Sequence, residues 1–421
     1  MSIVFERLKQ KAAQSIADYL ARNGFPRQAA SYGYSTGTKS GVSVSEASAL
    51  NCSVVNACIR VISDPIGFLP LNIYERIGDE DRKIARNFRL HRLMRMAPNP
   101  WMTATTYRQV LQAHLLTHGN AYSLIQRRSG TNEILYLYPM DPQMVEPKFD
   151  GVKKTYEVTM RTGPKETWGA DKVWHIPGLG FDGLKGYSVI NQARESIGLS
   201  QAMEQYGASF FGAGGRVPYI LKVPNTFRTD QEYKKFVETW REAYGTAETF
   251  HAAPILTGGA EYEQIGMKPE DAQLLASRQF QVQEIARWYK VSPHKLADLS
   301  RATFSNIEHL NIEFLTETLS YWLTLWEQSV WLTLLNEQEQ DKYFAEFNYE
   351  AILRGDSKSQ AEAQSIQIQN GLLKINEGRK MYNRPAVTGG DINVIQLNMQ
   401  ALPGQPELSS QQKAKGPANA A

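Results

Sequence analysis

The sequence predicts an α+β chain of about two to three structural units, taking roughly 150 residues per domain. Three observations carry this. With 421 residues, 42% of them hydrophobic and 10% aromatic, the chain has enough apolar surface to bury a core, which excludes a disordered polymer or a peptide-sized module. From Thr103 to Ile176 one helix-period segment is followed by strand-like runs separated by turn residues. From Ser188 onward the pattern changes to long helices with capping residues at their starts and glycines at their ends.

The elements read in order as follows. A helix over Glu46 to Ile66 leads to a strand over Leu71 to Tyr74 and a Pro98-Asn99-Pro100 turn. The helix Thr103 to His118 places Tyr107, Val110, Leu111, His114 and Leu115 on one face, and Gly119 ends it. Strands follow at Ala121 to Gln126, Ile134 to Tyr138, Tyr156 to Met160 and Val173 to Ile176. Ser188 caps a helix running to Phe211, with Ile190, Ala193, Ile197, Met203, Tyr206 and Phe210 as its apolar stripe and Gly212, Gly214 and Gly215 as its stop. Thr229 and Glu232 form a capping box for the next helix, whose apolar residues are Tyr233, Phe236, Val237, Trp240 and Tyr244. A helix from Pro269 ends before Ser292-Pro293, and one from Ser305 to Asn336 is on the order of 45 Å long at 1.5 Å per residue. The Gly24 to Ser48 and Pro403 to Ala421 stretches read as loose tails.

Composition excludes several classes. Lys and Arg number 46 against 43 Asp and Glu, for a net charge of +3 and a pI near 8.6, so the total charge supplies no strong attraction to DNA or an anionic membrane. Cys52 and Cys58 have a spacing that suits neither a zinc knuckle nor a disulfide framework, and they read as free thiols in a reducing compartment. Arg7, Lys9, Lys11 and Asp18 interrupt the apolar residues of the N-terminus, which argues against a secretory leader. The most apolar stretch, Leu319 to Leu335, contains Glu327 and Gln328 and is shorter than the ~20 residues of a membrane span, so it reads as a buried helix.

Motifs that carry chemistry compete with plainer readings. Gly178, Gly180 and Gly183 spell G-x-G-x-x-G after a strand and before a helix, but the second strand with its ribose-binding acid is missing, because the helix continues through Glu195 and Glu204. Gly33 with Thr38-Lys39-Ser40 resembles a phosphate loop, and Gly33 to Gly37 fits G-x-S-x-G, yet neither has the flanking strand and helix it needs. His114 and His118 are four apart, as zinc ligands can be, but Leu115 stands where a metalloprotease base belongs, so core or interface histidines are expected. His309 and Glu313 read as a helix-surface contact. Between Ala302 and Asp341 there is no Lys or Arg, while Glu308, Glu313, Glu317, Glu327, Glu337, Glu339 and Asp341 are acidic. Lys290, Lys295 and Arg301 stand just before that run.

Several local patterns, in order along the chain, resemble the portal proteins, or head-to-tail connectors, of long-tailed bacteriophages. They are Asn56-Ala57-Cys58-Ile59-Arg60, Leu69-Pro70-Leu71, Pro98-Asn99, Gly119-Asn120-Ala121-Tyr122, and His175 with Asp182-Gly183 and Gly186-Tyr187-Ser188. Later come Val291-Ser292-Pro293, Phe304-Ser305-Asn306-Ile307-Glu308, Asn376-Glu377-Gly378-Arg379 and Gly389-Gly390-Asp391. The similarity spans Asn56 to Ile392; the arm before it and the tail after it match nothing, and residues 217–265 match weakly.

The resemblance implies a portal fold in a closed ring of identical subunits, usually twelve, at one capsid vertex, with double-stranded DNA passing through its centre independently of sequence. It divides the chain into an N-terminal arm (1–45), a wing (46–187), a stem helix (188–215), a clip (216–267), a second stem helix (268–290), a tunnel loop (291–304), a long helix with its return to the wing (305–350), a crown (351–400) and a tail (401–421). The implied partners are the terminase large subunit, the major capsid protein or scaffold, and a head-tail adaptor; no membrane is involved. The implied location is the portal vertex of the virion, with the host cytoplasm during assembly. No catalytic, cofactor or metal residues are expected, and the ring itself is no enzyme. Lys290, His294, Lys295 and Arg301 are the expected DNA-facing residues of the tunnel loop. Glu308, Glu313 and Glu317 are the expected acids of the tunnel or a subunit interface, and Arg228, Lys234, Lys235 and Arg241 the expected partner surface of the clip.

Physics and resemblance agree on charge. Each phosphate neutralised by a fixed cation adds affinity through counterion release, so a conduit that must let DNA slide avoids a basic lining. An acidic helix at the lumen would repel DNA, with the nearby cations offering weak contacts. The rival is a soluble nucleotide-binding α/β enzyme built on the Gly178-Gly180-Gly183 turn. It predicts saturable nucleotide binding by a monomer or small oligomer, where the portal reading predicts large annular particles without turnover.

Overall fold

Helix ends set the architecture, and local chemistry sets most of the helix ends. The computed structural model describes residues 36–78, 81–150, 153–160, 163–180, 182–212, 219–222, 227, 229–244, 261–264, 271–297, 307–349, 357–381 and 384–394. The chain divides into two units, Met1–Tyr349 and Glu350–Ala421.

In the first unit a short hairpin, β1 (Thr36–Gly37) with β2 (Ser43–Val44), leads into α1 (Glu46–Leu50) and α2 (Ser53–Phe68). The helix expected over 46–66 is thus broken at Asn51-Cys52. The Ser45 hydroxyl and Ser48 form a capping box that starts α1, and Cys52 restarts the chain as a new N-cap. Residues 36–48, read from composition as part of a loose tail, are ordered: Thr38 closes the hairpin turn by donating to Val42 O at 2.7 Å. The rest of that stretch, 24–35, and the tail at 403–421 lie outside the described residues.

Next come β3 (Leu71–Ile77), β4 (Asp81–Ile84), α3 (Arg89–Arg95), α4 (Ala104–His118), β5 (Asn120–Arg127) and β6 (Ile134–Met140). Thr103 caps α4 through the Thr106 N–H, and Gly119, at φ 76°, ends it in the left-handed conformation that glycine takes without strain. Strands β7 (Val145–Phe149), β8 (Lys154–Val158), β9 (Glu166–Gly169) and β10 (Val173–Pro177) follow. Every pairing is antiparallel: β10-β5-β6 and β7-β8-β9 form two three-stranded sheets.

Ser188 caps only a single turn, α5 (Val189–Gln192), and the longer α6 (Arg194–Gly212) starts after a break at Ala193. The expected helix from 188 to 211 is therefore two helices. Beyond it, β11 (Tyr219–Lys222) pairs with β12 (Glu261–Gln264), and α7 (Asp230–Tyr244) lies between them in sequence. The Glu232 N–H donates to Thr229 Oγ1 at 3.3 Å at the start of α7. Helix α8 (Asp271–Trp288) ends ahead of Ser292-Pro293.

The long apolar helix is α9 (Ile307–Glu313), a π-helical turn (Phe314–Leu319) and α10 (Ser320–Leu334) in one run. Asn336 then caps a new helix, α11 (Glu337–Lys342), two residues beyond the end of α10. The strand that follows, β13 (Tyr343–Phe347), pairs with β3 in the sheet β13-β3-β4, Phe347 opposite Leu71 and Tyr343 opposite Glu75. Pattern reading found no strand there.

Trp326 of α10 is fully buried, packs edge-on against Trp174 of β10 with centroids 5.5 Å apart, and donates its indole N–H to Gln112 of α4 at 2.8 Å. This ties the helical part to the β10-β5-β6 sheet. Of the other tryptophans of this helix, Trp322 is half-buried and Trp331 exposed. No helix among the described residues is long and apolar enough to cross a membrane.

In the second unit, α12 (Ser357–Gln369) and α13 (Ile375–Met381) meet where Gly378 admits the Ile368 side chain. The Asn376 amide bonds both the N–H and the C=O of Val387, closing the following loop.

Candidate functional site

The segment between α8 and α9 is built on a strained helix end. At the end of α8 the Val291 N–H reaches Ala286 O and the Lys290 N–H reaches Arg287 O, the pair of bonds that closes a helix when the next residue is left-handed. That residue is Lys290, at φ 51°, where glycine is usual. Ala297 closes the 3-10 turn Pro293–Leu296 in the same way at φ 63°. Each costs on the order of 1 kcal/mol, so the surroundings must over-determine the conformation.

The surroundings are the π-helical turn and the helix before it. Thr318 donates to Lys290 O at 2.6 Å, Ser292 donates to a Glu313 carboxylate oxygen at 2.9 Å, and Lys295 Nζ donates to Asn311 Oδ1 at 2.9 Å. The same ammonium sits 4.8 Å from the centre of the Phe314 ring, a cation–π distance. A π turn adds one residue to the helical repeat; here Phe314, Leu315, Thr318 and Leu319 are buried together. Burial holds the Lys295 ammonium below the usual lysine range. It does the same to His294, with Lys295 adding to the effect and Glu313 opposing it.

Of the sequence-derived candidates, Lys290, His294, Lys295, Glu313, Glu317, Lys234 and Lys235 are described with their side chains. Lys290 and Glu317 are exposed; His294, Lys295 and Glu313 are half-buried in the clamp. Arg301 and Arg228 lie outside the described residues. Glu308 falls in α9 and Arg241 in α7, with side chains outside the description, while Lys234 and Lys235 are exposed on α7. Sequence reasoning missed Ser292, Asn311, Phe314 and Thr318 as partners of this segment, since a π turn leaves no period that a 3.6-residue search detects.

A second constellation joins the sheet β10-β5-β6 to α5. The Asn120 side chain accepts from Gly186 N at 2.8 Å and from His175 Nε2 at 3.1 Å, and donates to Gly186 O at 2.7 Å and His118 O at 3.2 Å. Gly178 N donates to Gly119 O at 2.8 Å, and Ser188 Oγ to Thr117 O at 2.6 Å. A Cβ on Gly186 would press into the Gly119 carbonyl, and one on Gly180 into the Lys185 carbonyl. Gly186→Ala is therefore expected to cost about 3 kcal/mol, the upper end of overpacking, read as a lowered urea midpoint; an unchanged midpoint would show that the brace yields freely.

The glycines at 178 and 180 thus serve backbone-to-backbone packing, and β10 runs antiparallel to its neighbour, so no parallel βαβ unit holds a dinucleotide here. Asp182 accepts the N–H groups of Leu184 and Lys185, which pulls its carboxyl below the ordinary range. The Thr38-Lys39-Ser40 run is a hairpin turn whose Lys39 N–H already donates to Glu195, not a phosphate cradle. His114 is half-buried and His118 packs edge-on to it at 6.2 Å. Among the described residues no group of three or more His, Cys, Asp or Glu side chains could hold a metal ion. Cys52 and Cys58 are free and buried, and burial pushes the Cys58 thiol up to about 12.

The phage portal protein family matches residues 53–383, most of the chain. The chain belongs to that family. It is 34% identical over 357 residues to the portal protein of Enterobacteria phage HK97, covering 84% of each chain. Its fold is similar to an HK97-family phage portal protein from Corynebacterium diphtheriae (TM-score 0.55, 15% identity, 74% of this chain and 98% of that one). It is also similar to a chain from the neck of a native gene transfer agent particle solved with C12 symmetry (TM-score 0.53, 17% identity, 81% and 94%). This portal protein is of the long-tailed-phage type, and portal proteins serve DNA packaging and adaptor docking at the capsid. The family is structural, and nothing supports the nucleotide-enzyme alternative.

Proposed function

We propose that this portal protein assembles into a closed ring of twelve copies at one vertex of the virion and conducts double-stranded DNA through its axis. The carrying observation is the likeness of its fold to a chain in a particle neck of C12 symmetry, joined to family membership over residues 53–383. On this reading residues 46–187 form the wing, α6 and α8 the stem, 216–267 the clip, 291–304 the tunnel loop, the helix from 305 the return to the wing, and 351–400 the crown. The terminase large subunit docks during packaging, the capsid protein or scaffold surrounds the ring, and a head-tail adaptor replaces terminase. Assembly takes place in the host cytoplasm.

The clamp around residues 290–297 supports a loop whose root is held by neutral and paired groups. The exposed Lys290 and the Arg301 that follows supply weak phosphate contacts, while Lys295 is shared with Asn311 and Phe314. Electron microscopy of the purified full chain is expected to show annular particles with an axial hole; solitary globules under all assembly conditions, with coenzyme turnover, would overturn the reading. Replacing Lys290 and Arg301 by Glu is expected to change the DNA content of purified heads, and unchanged content would remove the loop's role.

A further inference from the structure

Two surface patches of this chain match each other in shape of composition and oppose each other in sign. The first lies at the carboxyl end of α3. Arg92 and Arg95, three apart and so on one face, are exposed and form no ion pair among the described residues. Met96 directly after them is 65% exposed and Trp101 52% exposed. The Ala104 N–H closes the intervening loop onto Met96 O at 2.9 Å, and the Trp101 ring is stacked on Tyr138 at 5.1 Å, so the patch is held rigid. A helix carboxyl end favours cations without neutralising them. His91 is held below its usual range first by burial and then by Arg95 and Arg86, with no acid offsetting them.

The second patch spans the end of α10 and α11. Leu332 is 70% exposed and Trp331 40% exposed, and Glu337 and Asp341 are exposed beside them. The Trp331 indole donates to Gln340 O at 3.1 Å and the Gln340 amide returns to Trp331 O at 3.0 Å, which clasps the two helices together. Lys342, the nearest cation in sequence, is occupied by Glu75 at 3.0 Å, and Arg76 reaches the edge only through the Asp341 backbone carbonyl at 3.1 Å.

The patches do not satisfy each other within one chain. Phe88 at the start of α3 stacks on Tyr343 at the end of α11 with centroids 4.4 Å apart, and from that shared corner Arg95 and Glu337 each lie about 10 Å away along their own helices. Among the described residues no ion pair joins them. Arg, Trp and Met are the residue types enriched at protein–protein interfaces, and a bare cationic track for DNA would not need two exposed apolar side chains in its middle. A chain carrying two complementary patches that form no ion pair with each other can use them in a heterologous contact with a second copy, which closes into a ring where the rotation between copies is right.

We propose that the Arg92-Arg95-Met96-Trp101 ridge of one copy docks the Trp331-Leu332-Glu337-Asp341 edge of a second copy, as one of the contacts that closes the ring. This rests on the portal reading above. The test uses the full chain in two charge-reversed forms, Arg92→Glu with Arg95→Glu, and Glu337→Arg with Asp341→Arg. Each alone sets like charges against each other and is expected to lower the ring fraction, counted by native mass spectrometry and negative-stain microscopy, by roughly tenfold or more. Mixed one to one, every contact in an alternating ring pairs opposite charges, and rings are expected to return. Circular dichroism of each variant checks that it is folded.

Rings from either variant alone at the wild-type level would overturn the proposal while leaving the portal reading intact, whereas a wild-type chain without rings would defeat that reading itself. Normal rings combined with reduced DNA in heads carrying Arg92→Glu and Arg95→Glu would reassign the ridge to DNA and overturn the proposal. Folded variants that fail to assemble and are not rescued by mixing would overturn it as well.

Discussion

Replacing Arg108 with methionine is expected to destabilise the first unit by about 3–5 kcal/mol, the scale of leaving several buried carbonyls without donors at about 1–3 kcal/mol each. Arg108 is 2% exposed and meets no carboxylate. Its Nε donates to Ile66 O at 3.0 Å, one Nη to Gly67 O and to Leu69 O at 3.0 Å, and the other Nη to Met94 O. Three of these carbonyls belong to the end of α2 and the turn after it, and the fourth to the last turn of α3. Helix ends leave such acceptors without intrahelical partners, and one guanidinium satisfies both ends with a planar fork. Burial lowers its pKa to about 10, with Arg95 adding to the effect, so it remains charged at neutral pH. Methionine keeps most of the volume and removes every donor; lysine keeps the charge but not the fork and is expected to recover less than half of the loss. Urea denaturation of the three proteins decides it, and a methionine variant within about 1 kcal/mol of wild type would show that the carbonyls find other donors.

Acid is expected to unfold this protein well above the range in which its carboxylates titrate. His114 is held down to about 3 by burial, with His118 adding to the effect. His175 is held far below its usual range by burial and by Lys154. Its Nε2 faces Asn120 Oδ1, an oxygen that already accepts from Gly186 N, so Nε2 carries the proton and the buried Nδ1 has no partner. Around His118, also lowered by burial, Glu46 and Asp141 act in the opposite direction.

Because the folded-state values lie below the unfolded value of about 6.5, the unfolded chain binds protons first. The stability these histidines contribute is complete above about pH 6.5 and is lost as pH falls from there toward the folded values. His114 and His175 then cost about 1.4 kcal/mol per pH unit each, or about 2–3 kcal/mol apiece at about pH 4.5. His175→Gln, which keeps a donor toward Asn120, is expected to flatten the stability–pH curve between about pH 6.5 and 4.5 by its share of that slope. A curve of unchanged slope would mean that His175 reaches solvent when protonated.

The parts of this fold legible in the sequence were those whose chemistry acts within a few residues. Thr103 and Gly119 bound α4, Ser188 caps a helix and Asp271–Trp288 ends before Ser292-Pro293, because caps and stops satisfy neighbouring backbone groups. The Rossmann rival failed for a related reason: the missing second strand was visible in the sequence before the antiparallel sheet was. At the site, the bunching of Lys290, His294 and Lys295 against the acidic helix was legible. Their partners Asn311, Phe314 and Thr318 were not, since they lie across a loop, Asn311 in α9 and Phe314 and Thr318 on the π turn.

The sequence by itself determined the capped start and the glycine stop of α4, its apolar stripe, the lack of charge bias and the family, but not the breaks at Asn51-Cys52 and Ala193. Only the tertiary structure decided that β13 returns to pair with β3, that Arg108 closes two helix ends, and that Trp326 reaches Gln112. The difference is one of range. A cap is settled by steric and hydrogen-bond preferences inside one turn, whereas these contacts join residues far apart in the chain and form only because burial leaves a polar group or a strand edge no nearer partner.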